Sequence, residues 1–373
     1  MFKRINYIFI VVLFISCEMN NASNDEGSKT NIQQIVDTNV NEEMSLSELE
    51  QEIINNPKSS NPYYKRAIYY KKKQEYILAI EDINRALNLS PDASMLNYEK
   101  ASLLYDYGLN QADQSMIDNA KIYLDQAMQL DQDNYDAYLL KAEILIDLKD
   151  SLESMNLVQH VIKNDETNAR AYYLKGLIYD FLYFRNKEMN YSVSKSNRDM
   201  DRAISSYQTA IELEPSLFDP YIYISMLFEM KNDDRAIIYL EKALELNPDS
   251  FEAIRNLGLF YHFTYRYNEA QIYFKKMLEI DSTFVEAYFN IGNTYIGMYT
   301  DNMDQYSKDT TLQKASYYFD KAIELFPEYV QAIHNRGVVY EFQGKKDKAR
   351  EFYLKAIDLD NNYMPSLDAI NSM

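Results

Sequence analysis

Residues 251–284 read FEAIRNLGLFYHFTYRYNEAQIYFKKMLEIDSTF. Counted from Phe251, bulky residues stand at positions 4 (Ile254), 7 (Leu257), 11 (Tyr261), 24 (Phe274) and 27 (Met277). Small residues stand at 8 (Gly258) and 20 (Ala270). Steps of three and four are those of a helix face. The bulky side chains fill the space between two antiparallel helices, and the small ones let the two backbones approach closely. One such pair cannot bury its apolar face alone, so it needs neighbours.

The neighbours are present. Residues 60–93 place Tyr63, Ala67, Tyr70, Ala79, Ile83, Ala86 and Pro91 in the same slots. Residues 135–168, 218–250 and 330–363 do likewise, the first of them degenerately, with Ser154 at position 20. Three further units start at Ser94, Ala169 and Val285. They carry about seven, 15 and 11 extra residues between their two helices, all on one edge of such an array. Within one of them, Phe181–Arg185 (FLYFR) is too apolar to hang in water and reads as an extension of the first helix. Four of the eight glycines (Gly176, Gly258, Gly292, Gly337) fall at position 8. Five of the eight prolines (Pro57, Pro91, Pro215, Pro248, Pro327) fall at position 32, where proline ends the second helix.

This 34-residue pattern resembles the tetratricopeptide repeat. The resemblance implies an all-α fold, a right-handed superhelical solenoid of about eight helix–turn–helix repeats over residues 60–363. It also implies a concave groove lined mainly by first helices. Residues 45–59 read as an N-terminal capping helix, with Ser45 and Glu48 spaced as a capping box. Residues 364–373 read as a C-terminal cap.

The N-terminus has a different character. Residues 1–17, MFKRINYIFIVVLFISC, pair Lys3 and Arg4 with an apolar run from Tyr7 to Ile15, as a secretory signal does. A bilayer span needs about 20 apolar residues, so the run is too short to cross one. Cys17, the one cysteine of the chain, follows Leu13-Phe14-Ile15-Ser16. This resembles a bacterial lipobox, which implies acylation of Cys17 and a lipid anchor in the cell envelope, with the outer membrane as the expected site. Residues 18–44 are polar and read as a disordered tether. An exported chain with one cysteine forms no internal disulfide, so packing must hold it together.

The formal charge is −19, and loss of Lys3 and Arg4 with the signal makes it more negative. That argues against a nucleic-acid partner and against electrostatic docking on anionic lipid. No catalytic constellation is present: His160, His262 and His334 are scattered, and no phosphate-cradling loop or nucleophile elbow occurs. The chain reads as non-catalytic, with no metal, no cofactor and no evident small-molecule substrate.

The groove carries the functional expectation. Asn256, Asn290 and Asn335 share position 6 in three consecutive repeats, where asparagines can pair with the backbone of an extended peptide. Arg255 and Asn293 stand beside them. Upstream, positions 5, 9 and 13 hold Tyr173, Leu177 and Phe181, then Ile222, Met226 and Met230. That apolar strip suits an amphipathic partner. The sequence therefore describes a membrane-tethered scaffold for a protein or peptide. Two other roles fit it: an accessory subunit of an outer-membrane assembly or secretion machine, and a regulator presenting envelope hydrolases or proteases to substrates.

Overall fold

The computed structural model describes residues 44–189, 193–301 and 308–373. The signal, Cys17 and the tether up to Glu43 lie outside the described residues. Residues 45–373 form one compact unit. Among the described residues there are eighteen helices and no strand, the all-α solenoid expected.

A capping helix, α1 (Leu46–Asn55), comes first. Its N-terminus is closed by the Ser45–Glu48 capping box, each side chain bonding the other residue's backbone N–H. Eight helix pairs follow: α2 (Ser60–Lys72) with α3 (Tyr76–Leu89), α4 (Ser94–Gln111) with α5 (Gln114–Leu130), α6 (Tyr135–Asp147) with α7 (Ser151–Asn164), α8 (Ala169–Glu188) with α9 (Val193–Leu213). Then come α10 (Asp219–Glu229) with α11 (Arg235–Leu246), α12 (Phe251–Phe263) with α13 (Tyr267–Ile280), α14 (Val285–Thr300) with α15 (Lys308–Leu325), and α16 (Val330–Phe342) with α17 (Lys346–Leu359). The last helix, α18 (Met364–Ser372), covers the open end.

The extra residues of three repeats lengthen both helices of the pair. The pair α8 and α9 has 20 and 21 residues, against 13 and 14 in α12 and α13. Phe181–Arg185 lies inside α8, as its apolar character required.

The five ordinary repeats close their helix turn in one way. The backbone N–H of Glu75, Asp150, Asp233, Arg266 and Lys345 each donates to a carbonyl five residues earlier, at 2.8–3.0 Å. The residue before each donor is left-handed: Gln74, Lys149, Asn232, Tyr265 and Gly344. This is a Schellman-type stop, which satisfies orphan carbonyls at the helix end. Only Gly344 adopts that conformation without a steric cost.

First helices of neighbouring repeats touch directly: α4 with α6, α6 with α8, α10 with α12, α14 with α16. Among the described residues, no pair of second helices touches to that extent. The first helices therefore lie on the inner side of the bend and the second helices on the outer side.

The tightest fit sits between the two helices of a repeat. A β-carbon added to Gly258 would stand 2.4 Å from the Phe274 ring. At Gly176, Gly292 and Gly337 the obstructing rings are Tyr207, Phe319 and Tyr353. Each glycine is at position 8 and each ring at position 24. Where position 8 is Ala67, Ala101, Ala142 or Ser225, position 24 is Ile83, Leu124, Val158 or Leu240. The pair exchanges volume: an aromatic ring fits only where the opposite backbone has no side chain.

Gly258→Ala is expected to lower stability by about 1–3 kcal/mol through overpacking, despite the better helix propensity of alanine. In a Phe274→Leu background the same change should cost far less, because that pair then matches Ala101 and Leu124. Urea unfolding of the four variants checks this, and strict additivity would refute the volume exchange.

Candidate functional site

The residues expected to bind a partner lie on first helices, hence on the inner side, except Met230, which caps the C-terminus of α10. Asn256 is on α12, Asn290 on α14 and Asn335 on α16. They are not equally open. Asn256 and Asn290 are only 8% and 7% exposed. The Asn290 amide reaches Glu286 Oε1 at 3.5 Å. Asn335 Nδ2 donates to Asn293 Oδ1 at 2.7 Å, so the row and its neighbour meet across the α14–α16 contact.

Of the apolar strip, Ile222 is a core residue at 2% exposure. Tyr173, Leu177 and Met230 pack against the core around Tyr207 and Phe228, and Met226 against the core around Leu240 and Leu257. Phe181 is half-buried, with the Arg185 guanidinium 5.5 Å from its ring centroid. The strip thus offers the rims of half-buried side chains rather than an open apolar floor.

Position 12 of the first helices carries His262, named above, and acids that sequence reading passed over. Asp180 is buried on α8 and accepts a 2.8 Å hydrogen bond from the Tyr207 hydroxyl, while its Oδ1 has no hydrogen-bond partner. Burial pushes its pKa up to about 7, against the Tyr207 bond, which lowers it. Glu229 on α10 is pushed up to about 8 by burial, with the nearby Arg255 charge pulling it back. His262 on α12 is driven down to about 4 by burial. In repeat 8 the Tyr353 hydroxyl donates to Glu341 at 2.7 Å. The signal was in the sequence: both repeats with tyrosine at position 24 carry an acid at position 12.

Several other polar groups of the first helices are tied across repeats. Lys71 donates to Ser102 at 2.7 Å and lies 3.8 Å from Glu99 and 3.6 Å from Asp106. Arg170 reaches back to Glu143 at 2.7 Å. His334 shares a 2.9 Å hydrogen bond with Ser366, fastening the C-terminal cap. His160 stacks on Tyr138. Among the described residues no group of three His, Cys, Asp or Glu could hold a metal ion, and no helix is long and apolar enough to cross a membrane.

Two open clefts involve the lengthened helix pairs. One of about 320 Å³ runs between the start of α3 (Tyr76, Ile77, Leu78) and the extension of α4 (Tyr107, Asn110, Gln111). The other, about 510 Å³, is formed by Tyr295 of α14 and Thr310, Gln313, Lys314, Tyr317 and Tyr318 of α15.

Two tetratricopeptide-repeat family models match this chain, one at residues 60–93, 225–250 and 330–363, the other at 239–272. The chain thus contains tetratricopeptide repeats. No curated protein matches it. Among solved structures it is similar to the human IFIT1 dimer with m7Gppp-AAAA, at 15% identity and a TM-score of 0.54, covering 84% of this chain and 67% of that one. It is also similar to YrrB, described as a TPR protein with an unusual peptide-binding site, at 23% identity and a TM-score of 0.39, covering 57% of this chain and 97% of YrrB. A thermophilic TPR protein of Thermus thermophilus, TTC0263, aligns at 16% identity and a TM-score of 0.44, covering 55% of this chain and all (100%) of TTC0263. At these identities the likeness is one of fold.

Asp180 supplies a pH test. Its folded pKa of about 7 lies above the ordinary carboxylate value of 3.8. Between those values the folded state holds a proton the unfolded state has lost, so stability is highest below the lower value and falls as pH rises towards the upper one. Asp180→Asn should flatten that part of the stability–pH curve, by up to on the order of 4 kcal/mol. Denaturation midpoints at stepped pH measure it, and a parallel fall in wild type and variant would count against the burial of a titrating Asp180.

Proposed function

We propose that the chain is a non-catalytic scaffold, lipid-anchored at Cys17 in the bacterial cell envelope, that holds a protein or peptide partner along its first-helix side. The fold supports protein binding in general. The observation that carries the finer reading is the lining of that side. Repeats 4 and 5 present the rims of Tyr173, Leu177, Phe181, Met226 and Met230, and repeats 6 to 8 present Arg255, Asn293 and Asn335, with the nearly buried Asn256 and Asn290 beside them. A partner segment running along the side would meet apolar contacts first and amide groups after.

The anchor reading rests on Cys17 directly behind the apolar run, with the outer membrane as its expected destination. The capped oligoadenylate held by IFIT1 is a poor guide to this chain, because a formal charge of −19 opposes a polyphosphate ligand. One observation favours the second reading, an accessory subunit of an envelope assembly or secretion machine, or a regulator presenting hydrolases or proteases. Both open clefts involve a lengthened helix pair, the first at the extension of α4 and the second between α14 and α15.

Cys17→Ser should abolish incorporation of a fatty-acid analogue and release the chain from the membrane fraction; unchanged labelling would end the lipoprotein assignment. For the groove, crosslinking of envelope proteins to the full chain identifies partners. Met226→Asp and Asn290→Ala should each weaken a groove partner by about tenfold or more while leaving helical circular dichroism intact. Partners indifferent to both but lost on Tyr107→Asp or Gln313→Asp would place binding at the clefts.

A further inference from the structure

The outer faces of α11, α13 and α15 repeat one motif. An apolar residue is followed four places on by lysine, three further by glutamate, and next by a second apolar residue. The sets are Ile238, Lys242, Glu245 and Leu246; Ile272, Lys276, Glu279 and Ile280; Tyr317, Lys321, Glu324 and Leu325. Steps of four and eight keep them on one side of a helix. That side faces water: Ile238, Ile272 and Tyr317 are 58%, 65% and 55% exposed, and Leu246, Ile280 and Leu325 are exposed as well. The lysines are engaged within the chain, Lys242 with Glu245 at 2.6 Å, Lys321 with Glu324 at 2.8 Å and Lys276 with the Pro248 carbonyl at 2.7 Å. The motif stops at both ends of this block. Ser205 on α9 and Glu351 on α17 stand where the first apolar residue would be. Neither helix pairing nor stacking needs these side chains, since positions 20, 24 and 27 already fill the core.

We propose that this three-helix face joins two copies of the chain about a two-fold axis. Charge selects the partner. Copies of a chain with a formal charge of −19 repel one another, but here the motif carries lysine and glutamate in equal number, so two such faces meet without net repulsion. Symmetry agrees. An axis in the contact plane along α13 sets Ile272 and Ile280 against their own counterparts in the second copy, Ile238 against Tyr317, and Leu246 against Leu325. A two-fold contact requires that kind of self-matching patch. Each lysine then lies within reach of a glutamate across the interface. Size agrees too. Helices about 21 Å long and about 10 Å apart give roughly 600 Å² per copy, or about 1,200 Å² in all. On the outer side of a bend that is an upper bound, at the small end of specific interfaces, which suits a reversible dimer.

The test uses the full chain in detergent with Cys17→Ser, which removes the native thiol. Sedimentation equilibrium should show a reversible dimer. Ile272→Asp should weaken it by about tenfold or more, because a charge would be buried at the contact, with helical circular dichroism and melting unchanged. Any association through the micelle survives that substitution and is read from it. In the same background, Lys276→Cys near the axis should oxidise to a disulfide-linked dimer, whereas Lys355→Cys at the matching place on α17 should not. A monomer at every concentration overturns the proposal, whatever else the face binds. So does a dimer that Ile272→Asp leaves unchanged, or equal crosslinking through residues 276 and 355.

Discussion

Everything in this molecule depends on how closely the two helices of one repeat approach. A helix pair has no core of its own beyond the seam between its members. That seam is set by positions 8 and 24. Where a phenylalanine or tyrosine fills it, the opposite residue must be glycine, since an added β-carbon at Gly176, Gly258, Gly292 or Gly337 would stand within 2.6 Å of the ring. Where it is filled by isoleucine, leucine or valine, the opposite residue is alanine or serine. Two solutions give one separation, and a common separation lets unlike repeats stack in register.

The order of the helices was open to sequence reading because that seam leaves a periodic record. Proline at position 32, glycine at position 8 and the apolar slots repeat often enough to outweigh local ambiguity. Helix propensity alone would have said less: Gly258 and Gly292 are poor helix formers held in helices by the rings packed on them. The turns were less legible. Left-handed Gln74, Lys149, Asn232 and Tyr265 carry no glycine to announce them, and their conformation is imposed by the helix stop and the returning helix.

The inner side was legible in placement and not in exposure. Spacing puts Ile222 and Met226 on the same face, yet the stack draws Ile222 into the core and leaves Met226 half-buried. Asn256 and Asn290 share a position with Asn335, but how open each is depends on the turn from one repeat to the next, which period alone does not state. The buried acids were missed for a related reason. Asp180 reads as one more solvated charge until Tyr207, 27 residues later, is seen to donate to it. A search for acids at position 12 opposite tyrosines at position 24 would have found it and Glu341 together.

The lengthened pairs have a mechanical consequence. A repeat with helices of 20 and 21 residues is joined along a longer seam than one with 13 and 14, while its contact with the next repeat grows less. Such a repeat behaves as a stiff link in a jointed chain. Repeats 2, 4 and 7 are the stiff links, and compliance concentrates at the junctions of the ordinary repeats between them. Under tension or torque, the array should flex first around repeats 5 and 6, so the curvature of the inner side there is its most adjustable quantity.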